Sequence, residues 1–173
     1  MNDTIVIDTR EKPKAIQKIV KYFDEKNINH ISSKLYCGDY SLLSNGKLVI
    51  DRKANLGEIV QNVCQQHERF RNELKRAMDA GIKLVILCEH GADIKSLEDV
   101  YFWQNPRKYQ IRWKTVNGKR VKDVISAKAV DGNQLYKSLC TIRDRYNVDF
   151  VFCRKEETGQ KIIEILGGAI KED

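Results

Sequence analysis

Two aspartates and a lysine carry the clearest chemical pattern in the chain. In GDYSLLSNGKLVIDRK, residues 38–53, Asp39 is followed after eleven residues by Asp51, and Lys53 comes two positions later. Metal-dependent phosphodiester hydrolysis needs two or more carboxylates to hold a hard divalent cation, and a nearby base or cation to orient the attacking water. An acid-x-Lys triplet alone says little, because the chain has four, beginning at Asp24, Asp51, Glu73 and Asp93. Only Asp51 ends an apolar strand-like run, KLVID; Asp24 and Glu73 fall in helical patterns and Asp93 in a loop.

Hairpin geometry brings these residues together. With Ser44-Asn45-Gly46 as a three-residue loop and Gly46 in the left-handed position of a bulge, Leu43 faces Lys47 and Asp39 faces Asp51. Side chains alternate along a strand, so Asp39, Asp51 and Lys53 share one face, and Tyr40, Leu42, Leu48 and Ile50 can bury the other. A two-residue Asn-Gly turn would set Asp39 opposite Arg52 and divide the carboxylates. The three-residue loop separates apolar from charged residues better and is preferred. Two carboxylates this close repel unless a cation lies between them. The alternative is a turn-closing Asp39 and a surface ion pair of Asp51 with Lys53 or Arg52. Asp8, ending the first strand, and Glu58, on the following helix, are candidates to complete the cluster. His30, His67 and His90 show no zinc spacing with one another or with the cysteines. His67, in QQHERF on a helix, either reaches a phosphate or stands idle and partly exposed. No glycine-rich phosphate loop is present.

The elements that must position these groups follow from periodicity. Thr4–Asp8 reads as a strand, and Pro13 opens a helix with Ile16, Ile19, Val20 and Phe23 on one face. His30–Tyr36 is a weakly alternating strand, and Asp39–Leu43 with Lys47–Lys53 forms the hairpin. Asn55 caps a helix with Leu56, Ile59, Val60 and Val63 on its stripe, continuing or restarting through Phe70, Leu74, Ala77 and Met78 and stopping near Gly81. Ile82–Cys88 is the most apolar run and should be a central strand. A helix carrying Leu135, Leu139, Ile142 and Tyr146, a strand Val148–Cys153 and a helix Ile162–Leu166 complete an α/β chain around one sheet.

The chain has 173 residues, with 31 Lys+Arg against 24 Asp+Glu and a formal charge of +7. That length suits one compact domain, and 42% hydrophobic with 32% charged residues excludes a disordered chain. No apolar run reaches membrane-spanning length, and MNDTIVIDTREK has no signal-peptide core. Five cysteines, odd in number and scattered, read as reduced thiols of an intracellular protein. The charge is concentrated. Residues 105–128 hold eight basic groups (Arg107, Lys108, Arg112, Lys114, Lys119, Arg120, Lys122 and Lys128) and one acid, Asp123, leaving 23 of each sign elsewhere. Tyr109 and Trp113 stand among these cations, just after Tyr101, Phe102 and Trp103. Cations that displace counterions from phosphates, beside aromatics on which bases stack, suit a nucleic-acid contact. The alternative is a solvated basic hairpin turning at Asn117-Gly118, with its aromatics in the core.

IVIDTREK at 5–12, GDY at 38–40 and VIDRK at 49–53 resemble the nuclease domain of the XPF-type structure-specific endonucleases, which include archaeal Hef and belong to the PD-(D/E)xK superfamily. The family signature, GDY, a variable gap, then Glu-Arg-Lys, closes here with Asp51-Arg52-Lys53. Its following helix acid is displaced, with Gly57 and Glu58 in that neighbourhood. The match covers about residues 4–90, including HERFRNELKRA and KLVILCE; YFWQNPRK and the ETGQKIIEILGG end look more like small phage or prophage members. The resemblance implies a restriction-endonuclease-like mixed sheet flanked by helices, and one nuclease domain over 1–173 without a helix-hairpin-helix module. It also implies a Mg²⁺- or Mn²⁺-dependent endonuclease acting on branched DNA in a cytoplasmic setting, a bacterial host or a phage-infected cell. Asp39 and Asp51 would ligate the metal with the carbonyl of Arg52, and Lys53 would position or help deprotonate the water. Asp8 would hold a second metal or an ordered water, and Arg10 or Arg52 would touch the scissile strand. With them, His67, Arg107, Lys108, Arg112, Trp113, Lys114, Lys119 and Arg120 are the candidate DNA contacts. Pairing of two copies through the helix at Leu135–Tyr146 and the last strand and helix is a further expectation. The competing functions are a non-catalytic DNA-binding scaffold or partner of a nuclease, and a Holliday-junction resolvase or restriction-type enzyme of the same superfamily; RNA cleavage stays open.

Overall fold

The computed structural model describes residues 3–91, 93–124, 126 and 128–168. Apolar runs rich in Ile, Val and Leu at the centre, with a more polar edge strand, form a six-stranded mixed sheet in the order β2-β1-β3-β4-β5-β8. Its strands are β1 (Ile5–Ile7), β2 (His30–Ser32), β3 (Tyr40–Leu42), β4 (Leu48–Lys53), β5 (Lys83–Glu89) and β8 (Asp149–Cys153). β1 runs parallel to β2 and antiparallel to β3, β3 runs antiparallel to β4, and β4, β5 and β8 are mutually parallel. β4 therefore lies inside the sheet, between β3 and β5.

Helices cover both faces. α1 (Pro13–Glu25) and α5 (Thr158–Gly168) close one, where Ile16, Ile19, Phe23, Ile162 and Leu166 pack on Tyr40, Leu42 and Ile50. α2 (Leu56–Val60), α3 (His67–Asp79) and α4 (Gly132–Tyr146) close the other, where Leu56, Phe70, Leu74, Leu135 and Leu139 pack on Val49, Leu84 and Ile86. Asn55 caps α2 by accepting from the Glu58 N–H at 3.0 Å, and Asp131 forms a capping box with Gln134 on α4. The two-stranded ribbon β6 (Ile111–Val116) and β7 (Lys119–Val124) stands apart from the six-stranded sheet. No helix of the described residues is long and apolar enough to cross a membrane.

Several local expectations need correction. Between α2 and α3 the chain runs through a π-helical turn, Gln61–Gln65, rather than one regular helix. Met78 is exposed and off the stripe. The strand expected over His30–Tyr36 stops at Ser32, because the Leu35 N–H turns inward to donate to the Asp8 carboxylate at 2.6 Å. The last helix is longer than Ile162–Leu166, starting at Thr158. The apolar stripe of α4 and Ile162 and Leu166 of α5 are packed within the chain, so any pairing surface there must use other side chains.

Candidate active site

The pairs Tyr40↔Ile50 and Ser41↔Val49 follow the register of the three-residue loop, and its continuation sets Asp39 against Asp51. The expected means is absent: Gly46 does not take up a left-handed conformation. The loop is held by the Asn45 N–H donating to Leu42 O at 3.2 Å and the Lys47 N–H donating to Asn45 Oδ1 at 3.0 Å. The left-handed residue is Gly38, with φ +64°. A Cβ there would lie 2.5 Å from Val49 Cγ1 and 2.9 Å from Ile50 O. Only glycine lets the chain pass this close to β4 and deliver Asp39 to its end.

Asp39, Asp51 and Lys53 come together on the α2–α3 side of the sheet. Asp39 Oδ2 accepts from the Arg52 N–H at 2.8 Å, and Lys53 Nζ donates to Asp51 Oδ1 at 3.0 Å. Asp51 Oδ2 lies 2.9 Å from the same ammonium but has no well-directed hydrogen bond. Burial, then the charge of Asp51, pushes the Asp39 carboxyl well above its ordinary range. Burial alone would lower Lys53, but Asp51 by charge and by hydrogen bond, helped by Asp39 and Glu58, raises it. Lys53 is therefore a fixed ammonium at neutral pH. Its Nζ also lies 5.8 Å from the Phe70 ring centroid, and the side chain borders a polar recess of about 210 Å³ lined by Glu58, Asn62, Gln66, Arg69 and Glu73.

Two acids that repel, one with an oxygen that accepts no well-directed hydrogen bond, are a hard-oxygen donor set that a Mg²⁺- or Mn²⁺-sized cation would relieve. Asp39 and Asp51 fit such an ion. Among the described residues, no group of three or more Asp, Glu, His or Cys side chains converges as a metal cluster.

Asp8 is engaged otherwise. Its carboxylate accepts from the Arg10 N–H at 2.8 Å, from Arg10 Nε at 2.6 Å and from the Leu35 N–H at 2.6 Å. Burial pushes this carboxyl up, but the Arg10 side chain and the two backbone donors outweigh it and hold it below its usual value. Arg10 Nη2 reaches Gly38 O at 3.3 Å, so the Asp8–Arg10 pair braces the turn that delivers Asp39. The Arg10 side chain stays about half exposed.

Arg52 departs from the expectation of a DNA contact. Alternation turns it to the opposite face, where its side chain is 9% exposed between Glu11 at 2.8 Å and Glu89 at 3.2 Å. Thr158 Oγ1 donates to the same Glu89 oxygen at 3.0 Å. This network was missed from sequence, although Glu89 is the one acid closing the most apolar run. Glu58 caps locally, its Oε2 accepting from the Ala54 N–H at 2.8 Å, and remains close enough to influence Lys53. His67 is exposed and lines a separate groove between α3 and α4, with Arg71, Thr141 and Tyr146. Burial pushes the Cys37 thiol up to about 11, which makes it a packing group.

Of the basic segment, Arg107 is exposed on a short turn, Pro106–Lys108, while Lys108 lies 3.4 Å from Asp131. Arg112, Trp113, Lys114, Lys119 and Arg120 all lie on the exposed ribbon. Of the aromatics only Trp103 joins the core; Phe102, Tyr109 and Trp113 are exposed.

A sequence model of the ERCC4 domain matches residues 7–166. Two solved structures are similar over 98% of this chain: XPF from Aeropyrum pernix, at TM-score 0.62 and 15% identity, and XPF from Aeropyrum pernix in complex with DNA, at TM-score 0.62 and 13% identity. The chain spans 66% of the length of each, and at these identities the likeness is one of fold. No curated protein sequence matches.

Proposed function

This chain belongs to the ERCC4 domain family, and from that premise we propose that it is a metal-dependent, structure-specific DNA endonuclease acting on branched DNA. The observation that carries the proposal is the pair Asp39 and Asp51 on one sheet face, with Lys53 bound to Asp51 at 3.0 Å. The similarity to a fold solved in complex with DNA supports the choice of polyanion.

Asp39 and Asp51 would hold Mg²⁺ or Mn²⁺, with the Arg52 carbonyl as a third oxygen. The ion would supply Lewis acidity at the scissile phosphate and lower the pKa of the attacking water. Lys53, raised by its acid neighbours, acts as a cation. It would orient or help deprotonate the nucleophile, and its charge would offset that on the pentavalent phosphate. Asp8 and Arg10 fix the approach of Asp39, and the exposed part of Arg10 is available to a phosphate. Glu58 borders the recess beside Lys53 and completes its polar wall.

Single-turnover cleavage of fork, flap and four-way-junction DNA with Mg²⁺ or Mn²⁺ tests this. Asp51→Asn and Lys53→Ala should lower the rate by about 10³ or more, while binding of the same DNAs persists. Wild-type cleavage by Asp51→Asn would falsify the assignment. Binding without cleavage by the native chain would make it a non-catalytic scaffold, and symmetric products on junction DNA alone would make it a resolvase.

A further inference from the structure

The ribbon β6–β7 has two chemically different faces. Val116↔Lys119 closes a two-residue turn with Asn117 at φ 50° and Gly118 at φ 77°, both left-handed as a tight hairpin requires. Alternation from this register places Ile111, Trp113, Thr115, Arg120, Lys122 and Val124 on one face, and Arg112, Lys114, Val116, Lys119, Val121 and Asp123 on the other. Among the described residues neither strand packs substantially on any other element, and Asp123 alone has a partly buried side chain.

Formal charge is the same on both faces, but its arrangement differs. On the second face Asp123 sits 3.0 Å from Arg112 and 3.1 Å from Lys114 and offsets one of their two charges, with Lys119 standing at the tip. On the first face no acid is present. Lys122 faces Trp113 directly, and the Arg120 guanidinium lies 5.6 Å from the indole centroid. Trp113 nevertheless stays 59% exposed. An exposed indole flanked by cations with no acid on their face matches an unstacked base beside its own phosphate. A duplex offers phosphates and groove edges but keeps its base faces covered.

We propose that the Trp113 face of the ribbon binds single-stranded DNA, stacking a base on Trp113 while Arg120 and Lys122 contact the flanking phosphates. Resting on the nuclease reading above, it specifies that reading's substrate: branched DNA with an unpaired segment.

The test is fluorescence-anisotropy titration, in EDTA, of a labelled oligothymidylate and of a duplex of equal length. Trp113→Ala should weaken oligothymidylate binding about tenfold, with Trp113→Phe recovering most of the loss. Arg120→Gln with Lys122→Gln should lower the salt slope by roughly 0.7 for each phosphate contact removed. Arg112→Gln with Lys114→Gln removes the same formal charge but should lower affinity and salt slope less than Arg120→Gln with Lys122→Gln and leave Trp113 quenching intact, since Asp123 already offsets one of the two charges. Of the two tryptophans in the chain, Trp103 is buried, so quenching of intrinsic fluorescence by the oligonucleotide should vanish in Trp113→Ala. Circular dichroism checks that each variant is folded. Unchanged affinity in Trp113→Ala, equal losses from the two charge pairs, or a duplex bound as tightly through Trp113 would overturn the inference. Failure here in a chain that cuts DNA with metal leaves the nuclease reading standing. A ribbon that behaves as stated in a chain that never cuts overturns only that reading.

Discussion

The chain builds two antiparallel hairpins around the same dipeptide, Asn45-Gly46 in β3–β4 and Asn117-Gly118 in β6–β7, and handles them in opposite ways. In the ribbon both turn residues are left-handed and the loop itself sets the pairing. In β3–β4 the glycine of the dipeptide is not left-handed, and packing sets the pairing: Tyr40, Leu42 and Ile50 are at most 2% exposed beneath α1 and α5. A turn can dictate register where nothing else constrains the strands. Where both faces are buried, a slip by one residue would exchange every side chain between two cores, and the turn conforms instead. The buried hairpin fixes charged groups to a narrow geometry, and the exposed one leaves Arg120 and Lys122 on a face that holds no acid.

That contrast can be broken at several points. The largest effect on stability is expected at Arg52, whose guanidinium joins Glu11 and Glu89 beneath the buried hairpin. Arg52→Met should cost about 3–5 kcal/mol, because it strands two buried carboxylates, and a urea melt measures it. Gly38→Ala comes next, at about 2–3 kcal/mol, combining a left-handed backbone with the approach to Val49 and Ile50; little change in the melt would show that the turn before Asp39 is looser than its contacts indicate.

Asp39→Asn should have the opposite sign in EDTA. The folded carboxyl is raised above its unfolded value, so its favourable contribution is complete below the unfolded pKa and is lost as pH rises through the folded one. Above the unfolded pKa the raised group is a cost, and the variant should be more stable than wild type by about 1 kcal/mol. Acidification from neutral pH should narrow that difference, and Mn²⁺ should reverse it by stabilising only the wild type; thermal melts across pH, with and without the ion, follow both. The smallest effect belongs to the exposed hairpin, where Trp113→Ala and Lys122→Gln should each alter stability by no more than about 0.5 kcal/mol. A larger loss would mean that the ribbon is packed rather than free.

Much of this arrangement was legible beforehand because it rests on local rules. The periodicity of Ile16, Ile19 and Phe23, and of Leu56 and Ile59, marked the faces of α1 and α2, and the separation of apolar from charged residues selected the right hairpin register. What stayed hidden depends on partners distant in sequence. Nothing near Arg52 reveals that Glu11 and Glu89 converge on it, and nothing near Asp8 reveals that the Leu35 N–H donates to its carboxylate beside Arg10. Gly46 misled for the same reason: its local preference yields to packing, and the left-handed position falls at Gly38 instead.

The π-helical turn at Gln61–Gln65 also works as an angular setting. Each residue advances a regular helix by about 100°, and a π turn accommodates an extra residue without lengthening the helix in proportion. Deleting Cys64, which is exposed, would take one residue out of that turn and rotate α3 relative to α2 by about that angle. Phe70 and Leu74 would then leave the core, or Glu58 would swing away from Lys53. The phase between these two short helices is what lets one segment serve both the packing and the recess.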